Sequence, residues 1–242
     1  DEVPALNTRL NQPRGVEYYS PDSILIADTN NHRIRRVDLS TNIIRTFAGN
    51  GISDVTGNLG FASEASVASP ISLAVDQNNQ VFVTSLYQIR VIYPSGVIDL
   101  FAGKRFGNKG DNINALDAEF SILGGIAVGP DGKIYVADTG NNKVRVIEKQ
   151  GPDWVVNTFA GTGNPGSAGD GSHPMFAELN NPTDVAVAEN GDVFITEKFG
   201  NRVRWILNGV IKTIYDNTID SRFSRPLAVD VQKDYYLYFS GE

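Results

Sequence analysis

Four segments of this chain repeat one pattern: an apolar triplet, an acidic or hydroxyl pair, a short polar stretch, then a basic–aliphatic–Arg unit. They read ILIADTNNHRIRRV from Ile24, VFVTSLYQIRVI from Val81, KIYVADTGNNKVRVI from Lys133 and VFITEKFGNRVRWI from Val193. Three are followed by an FAG signature, TFAGNG at Thr46, LFAGKR at Leu100 and TFAGTG at Thr158, and the fourth by the degenerate TIYDN at Thr213. A third signature precedes each segment: QPRGVEY at Gln12, SPISLAV at Ser69, ILGGIAV at Ile122 and NPTDVAV at Asn181. It returns once more as SRPLAVD at Ser224. Matching Glu17, Ala74, Ala127 and Ala186 gives steps of 57, 53 and 59 residues, and Ala186 to Ala228 a shorter one of 42.

Inside each repeat the hydrophobic period is two. β-Branched and aromatic residues fill runs such as Ile134–Ala137 and Val144–Ile147, which read as strands. Turn-forming DQNNQ at Asp76, GPDGK at Gly129 and AENGD at Ala188 join first strands to second. DLSTN at Asp38, YPSG at Tyr93, EKQGPDW at Glu148 and LNG at Leu207 join third to fourth. Each repeat is thus expected to be a four-stranded antiparallel meander, and no window reads as an amphipathic helix. Such a meander cannot bury both faces alone, so the repeats must stack. Four strands per repeat exceed the needs of a solenoid coil and favour an all-β propeller.

The residues Ala27–Arg35 (ADTNNHRIR) and Ala137–Arg145 (ADTGNNKVR), in register with FAG and with the Pro-containing AV signature, resemble the NHL repeat. The second copy departs from it with Thr84-Ser85 and a turn two residues shorter, the fourth with Thr196-Glu197 and Phe199. The resemblance implies an NHL β-propeller of four full blades plus a partial fifth. The repeats cover about 13–51, 70–104, 122–162 and 182–216, with a partial one at 224–242, in a single domain spanning 1–242. NHL propellers usually close with six blades. With Met175 as the only methionine, the chain is expected to be part of a longer polypeptide or ring.

Composition then narrows function. A net charge of −7 argues against a phosphate-binding surface, so nucleic acid is not an expected partner. With no cysteine there is no disulfide, thiolate metal site or cysteine nucleophile. No apolar run approaches the ~18 residues of a membrane helix. His32 and His173 are too few for a three-histidine zinc site, and no GxSxG nucleophile motif occurs, so neither metal, cofactor nor catalytic residue is assigned.

Residues recurring once per blade are expected to be architecture. Arg35, Arg90, Arg145 and Arg204 occupy equivalent positions, facing Asp28, Ser85, Asp138 and Glu197 in register. Asp111 and Asp170, with Asn58 at the third copy, are expected to cap backbone amides in the long connections between blades. These connections are expected on the same face as the second-to-third strand turns, the face a partner would use. Its non-repeated residues His32, Tyr87, Arg105, Phe106, His173, Lys198 and Phe199 are the candidate partner contacts, joined by Lys104, Lys109 and Met175. Trp154 and Trp205 read as packing residues. The expected function is a non-catalytic interaction or assembly module, located outside the cell. Its partners would be other proteins, neighbouring subunits or missing parts of the same chain. Strand edges at the N-terminal segment and at Tyr235–Tyr238 would be available for pairing. The alternative that the resemblance to NHL propellers implies is a propeller enzyme of lyase, lactonase or synthase type using a metal in the central tunnel.

Overall fold

A computed structural model describes residues 2–220, 224–231 and 237–241 as all-β, with only single-turn 3-10 segments beside the strands. The chain divides into two compact units, Asp1–Gly103 and Lys104–Glu242. The first unit holds blade 1 (Val16–Ser20, Ser23–Asp28, Arg33–Asp38, Ile43–Ala48) and blade 2 (Pro70–Val75, Val81–Ser85, Gln88–Ile92, Val97–Ala102). The second holds blade 3 (Leu123–Val128, Ile134–Asp138, Lys143–Gln150, Asp153–Ala160) and blade 4 (Pro182–Val187, Val193–Glu197, Arg202–Leu207, Val210–Asp216). A two-stranded sheet of Pro226–Val231 and Leu237–Gly241 follows in the same unit. Every pair of consecutive strands within a blade is antiparallel. The expected strand at Tyr235–Tyr238 falls partly outside the described residues, which resume at Leu237.

Three blades differ from the four-stranded expectation. A short fifth strand from the segment before the blade pairs antiparallel with the fourth: Val3–Pro4 in blade 1, Gly60–Phe61 in blade 2 and Ile113–Asn114 in blade 3. The fourth strand would otherwise present bare N–H and C=O groups, and the connecting segment covers them. The connection also runs farther than expected. It leaves beside the second-to-third strand turn of its own blade, where Arg33 Nη2 donates to the Asn50 carbonyl. It then reaches the third-to-fourth strand turn of the next, where Ala62 N donates to the Gly96 carbonyl. The last step of the repeat also changes. Pro226 pairs across to Gly241 as Pro182 pairs to Glu197, so Asp230, not Ala228, matches Ala186.

The second strands Val81–Ser85, Ile134–Asp138 and Val193–Glu197 are buried at every residue, so both of their faces are covered. Leu25, Ile34, Leu73, Val83 and Ile98 form the core of the first unit. Val144, Val185, Ile195, Ile206 and Ile211 form that of the second. The FAG signature serves both packing and backbone. Its phenylalanines meet a tyrosine or phenylalanine edge-on, Phe47 with Tyr19, Phe101 with Phe82 and Phe159 with Tyr135, at centroid separations of 5.2, 4.9 and 4.9 Å. Its glycine has φ of +92° at Gly49 and +97° at Gly161. A Cβ there would lie 2.4 Å from the His32 or Asn142 carbonyl oxygen, so only glycine fits.

Candidate functional site

The polar groups of the repeat gather at the ends of the second and third strands. Asp28, Asp138 and Glu197 close the second strands, and each accepts a hydrogen bond from the backbone just before its own blade's first strand. The donors are Asn11 N at 2.8 Å, Ser121 N at 2.8 Å and Asn180 N at 2.6 Å. Asp28 and Asp138 also hold the turn asparagines Asn31 and Asn141. Blade 4 replaces this Asp–Asn pair with Glu197 and Gly200, and a Cβ at Gly200 would sit 2.8 Å from Glu197 Oε2. The longer carboxylate takes the room that the asparagine side chain fills elsewhere. Burial pushes the Asp138 and Glu197 carboxyls above their ordinary range, against hydrogen bonds and the neighbouring guanidinium that pull them down.

The repeated arginines are buried. Arg145 Nη1 lies 3.4 Å from Asp138 Oδ2 and Arg204 Nη1 3.1 Å from Glu197 Oε1. Their other ends tie down the long connection: Arg145 meets the Gly110 carbonyl and Asp111, and Arg204 Nη2 donates to Asp170 Oδ1 at 2.7 Å. Asp111 and Asp170 in turn accept from the fourth-strand amides of Thr158 and Thr213. Desolvation opposes ionisation of Asp111, yet Thr158, Arg145 and Lys143 leave its carboxyl below the usual value. Blade 2 departs from the expected pairing. Ser85 donates to the Ala68 carbonyl, while Arg90 donates to the Thr56 and Ser66 carbonyls and to Asn58 Oδ1. The charge of Asp99 partly offsets the burial that lowers the Arg90 pKa. Arg35 donates to Thr46 Oγ1, with the Asp28 charge acting on it at longer range.

Among the candidate partner contacts, His32 has a structural job. It occupies a left-handed turn position (φ +51°), and its Nδ1 accepts from Ser69 N at 3.0 Å. Asn142 and Asn201 take the same position with φ +51° and +48°, and their Oδ1 atoms accept from Asn181 N and Arg225 N. His32 is therefore a repeat position in disguise, a latch from one blade to the start of the next. His173 similarly accepts from Met175 N. Arg105 is ion-paired with Glu119 at 2.7 Å and Lys104 with Asp117 at 2.8 Å, so this basic run is locally matched by acid. Tyr87 and Lys198 are half-buried. Phe106 and Phe199 are exposed at 61% and 60%. These residues do not converge on one centre: His32 and Tyr87 belong to the first unit and the rest to the second.

Two groups escaped sequence reasoning. Asp184, on the first strand of blade 4, accepts from Val185 N and, across to the next strand pair, from Val229 N at 2.9 Å. Burial, with Asp230 nearby, pushes its carboxyl up to about 7. Equivalent positions hold Ser72, Gly125 and Ala228, so its departure from the repeat was the available signal. Ile122, exposed at 62%, has φ +51°. Among the described residues no cluster of three or more histidines and carboxylates is placed to hold a metal. Among the same residues no helix is long and apolar enough to cross a membrane.

Residues 120–147 match the NHL repeat. The chain is similar to the protein SUPPRESSOR OF QUENCHING 1, chloroplastic, of Arabidopsis thaliana, 24% identical over 80% of this chain and 19% of that protein. It is also similar to human Teneurin-4, 33% identical over 38% of this chain and 4% of that protein. The chain thus spans a fifth or less of these relatives. Among solved structures it superposes on virginiamycin B lyase from Staphylococcus aureus with a TM-score of 0.64 at 16% identity, covering 100% of this chain and 67% of that one. It superposes on a chain of the Nidogen/Laminin complex with a TM-score of 0.63 at 15% identity, covering 95% and 72%. At these identities the likeness is one of fold.

Proposed function

We propose that this chain of NHL-repeat β-propeller blades is a non-catalytic module for protein interaction or assembly, working outside the cell as part of a longer polypeptide. The observation that carries this reading is the division of labour among its side chains. The recurring charged groups are spent inside the blades, on strand-entry amides and on the long connections. Several loop side chains left to solvent are, by contrast, apolar, with Phe106, Ile122, Met175, Phe176 and Phe199 all exposed in the second unit. The similarity to teneurin and to a nidogen–laminin structure supports the same reading. The test is to display the chain on a sensor surface and screen purified extracellular-matrix and cell-surface ectodomains. Saturable binding to a defined protein, competed by soluble chain, is expected, and an absence of saturable binding across the panel would count against the reading.

The fold likeness to virginiamycin B lyase, one of whose structures holds quinupristin, favours a second reading as a propeller lyase. Mass-spectrometric detection of chain-dependent conversion of quinupristin would displace the first.

A further inference from the structure

We infer that the tie between blade 1 and the start of blade 2 is an acid-sensitive switch, in which protonation of His32 removes its acceptor and frees the backbone at Ser69. The switch follows from which ring nitrogen the fold uses and stands apart from the interaction-module reading.

Both histidines of this chain stand where another repeat uses an asparagine, and both do the work of an amide oxygen. His32 shares its left-handed turn position with Asn142 and Asn201. Each of the three accepts from the residue before a first-strand proline: Ser69 N at 3.0 Å, Asn181 N at 2.9 Å and Arg225 N at 2.8 Å. His173 opens the single turn Pro174–Phe176 and accepts from Met175 N at 3.3 Å. Asn114 opens Ala115–Asp117 in the same way and accepts from Leu116 N at 3.0 Å.

An amide oxygen keeps its lone pairs as pH falls, whereas a ring nitrogen accepts only while it carries no proton. A backbone N–H can only donate, so Ser69 requires the neutral imidazole with its proton on Nε2. Protonation of Nδ1 turns the contact into two donors facing each other. Folding therefore favours the neutral ring, and the unfolded chain binds the extra proton. The tie is complete at neutral pH and is lost as pH falls below about 6.5, where free imidazoles titrate. Asp184 tilts stability in the opposite direction, but it lies in the second unit and His32 in the first.

The charged groups on the elements around His32 are Asp28, Arg33 and Arg35 of its own hairpin, Arg14 before blade 1, and Asp54 and Glu64 on the connection to blade 2. Ala68, Ser69 and the first strand of blade 2 carry none. Asp28 is held by Asn11 N and Asn31, and Arg33 by the Asn31 and Asn50 carbonyls. Around His173 stand Asp170, paired with Arg204, Glu178, Lys212 on the fourth strand of blade 4 and Asp153 on that of blade 3. Two further ties flank Ser69: Ser85 donates to the Ala68 carbonyl, and Thr29 Oγ1 to the Pro70 carbonyl at 2.8 Å. Neither hydroxyl gains or loses a proton in this range. Acid thus releases the backbone at Ser69, held at φ +44°, while blade 2 stays in place.

Amide hydrogen exchange of the whole chain, read by mass spectrometry and corrected for the intrinsic rate at each pH, tests the switch. Protection of residues 66–72 is expected to fall about fivefold from neutral pH to about pH 5.5, the loss of one hydrogen bond. His32→Asn should match the native chain at neutral pH and keep its protection in acid. His32→Ala should show the acid level at both. Residues 173–177 should respond in the same sense but more weakly, since His173 is exposed and its bond longer, and only His173→Asn should remove that response. Protection of 66–72 that is indifferent to pH would overturn the switch. A fall in acid that His32→Asn retains would do the same, because the proton would then act elsewhere. So would a His32→Asn chain already unprotected at neutral pH, because asparagine would then not stand in for the ring. Loss of protection across residues 81–92 in acid would replace local release by unfolding of the blade and overturn it as well.

Discussion

At the scale of single residues, the latch at His32 predicts a simple substitution pattern. Asn142 and Asn201 perform the same task with an amide oxygen, so His32→Asn should leave thermal stability close to the starting protein. His32→Ala should lose about 1 kcal/mol, the worth of one hydrogen bond. Thermal melts of the two variants decide it; equal losses would mean that the imidazole does something other than accept from Ser69. Asp184 predicts a pH effect. Its carboxyl stands at about 7 in the fold against 3.8 as an ordinary aspartate, so folding favours the neutral form. Between about pH 4 and pH 7 the folded chain binds the extra proton, and stability falls as pH rises through that window. The shift corresponds to on the order of 4 kcal/mol at the upper limit. Asp184→Ala, the residue found at 228, should flatten this slope in denaturant titrations across the window, whatever it does to absolute stability through the lost Val229 acceptor. An unchanged slope would assign the carboxyl an ordinary titration.

At the scale of the strand-and-turn element, Asp138 with Asn141 and Glu197 with Gly200 are two solutions to one packing problem. Glu197→Asp should pull the carboxylate away from Asn180 N and Arg204, and Gly200→Asn should drive a side chain into Glu197. Each alone should cost about 1–3 kcal/mol. Together they rebuild the blade 3 arrangement, so a double-mutant cycle should return a favourable coupling on the order of 1 kcal/mol or more. Strict additivity of the two losses would refute the compensation. Much of this element was legible beforehand. Alternating apolar residues marked the strands, and the FAG glycine and phenylalanine recurred because local backbone geometry and an edge-on ring contact demand them. Blade 2 was less legible. Ser85 looked like the partner of Arg90, but a hydroxyl cannot neutralise a guanidinium. The compensating charge sits instead on Asp99 of the fourth strand, outside the motif.

At the scale of the whole molecule, each unit carries its own core, and in the second unit the buried arginines pair with buried carboxylates. Arg145 binds its blade to the connection that precedes it, so Arg145→Met should strand Asp138 as a buried, uncompensated carboxylate and cost about 3–5 kcal/mol. The two tryptophans, Trp154 and Trp205, both lie in the second unit, so the shift of their emission with denaturant reads this loss directly. A midpoint within error of the starting protein would show the arginine to be dispensable. The candidate surface was only partly legible at this scale. Phe106 and Phe199 stood out as departures from the repeat, whereas His32, equally conspicuous in sequence, turned out to serve the backbone of the next blade.

The sequence by itself determined the repeat, its strands and hairpins, and the positions of the recurring acids, arginines and glycines. Each of these follows from side-chain alternation, turn chemistry and backbone sterics acting over a few residues. Tertiary structure alone decided what those groups meet. Examples are the fifth strand drawn from the connection, the latch from His32 to Ser69, the contact of Asp111 with an amide 47 positions away, and the raised pKa of Asp184. Those partners are far apart in the chain and come together only when a blade closes against its connection or stacks on its neighbour. Burial and electrostatic environment are likewise properties of the stacked blades, which a local pattern of residues does not encode.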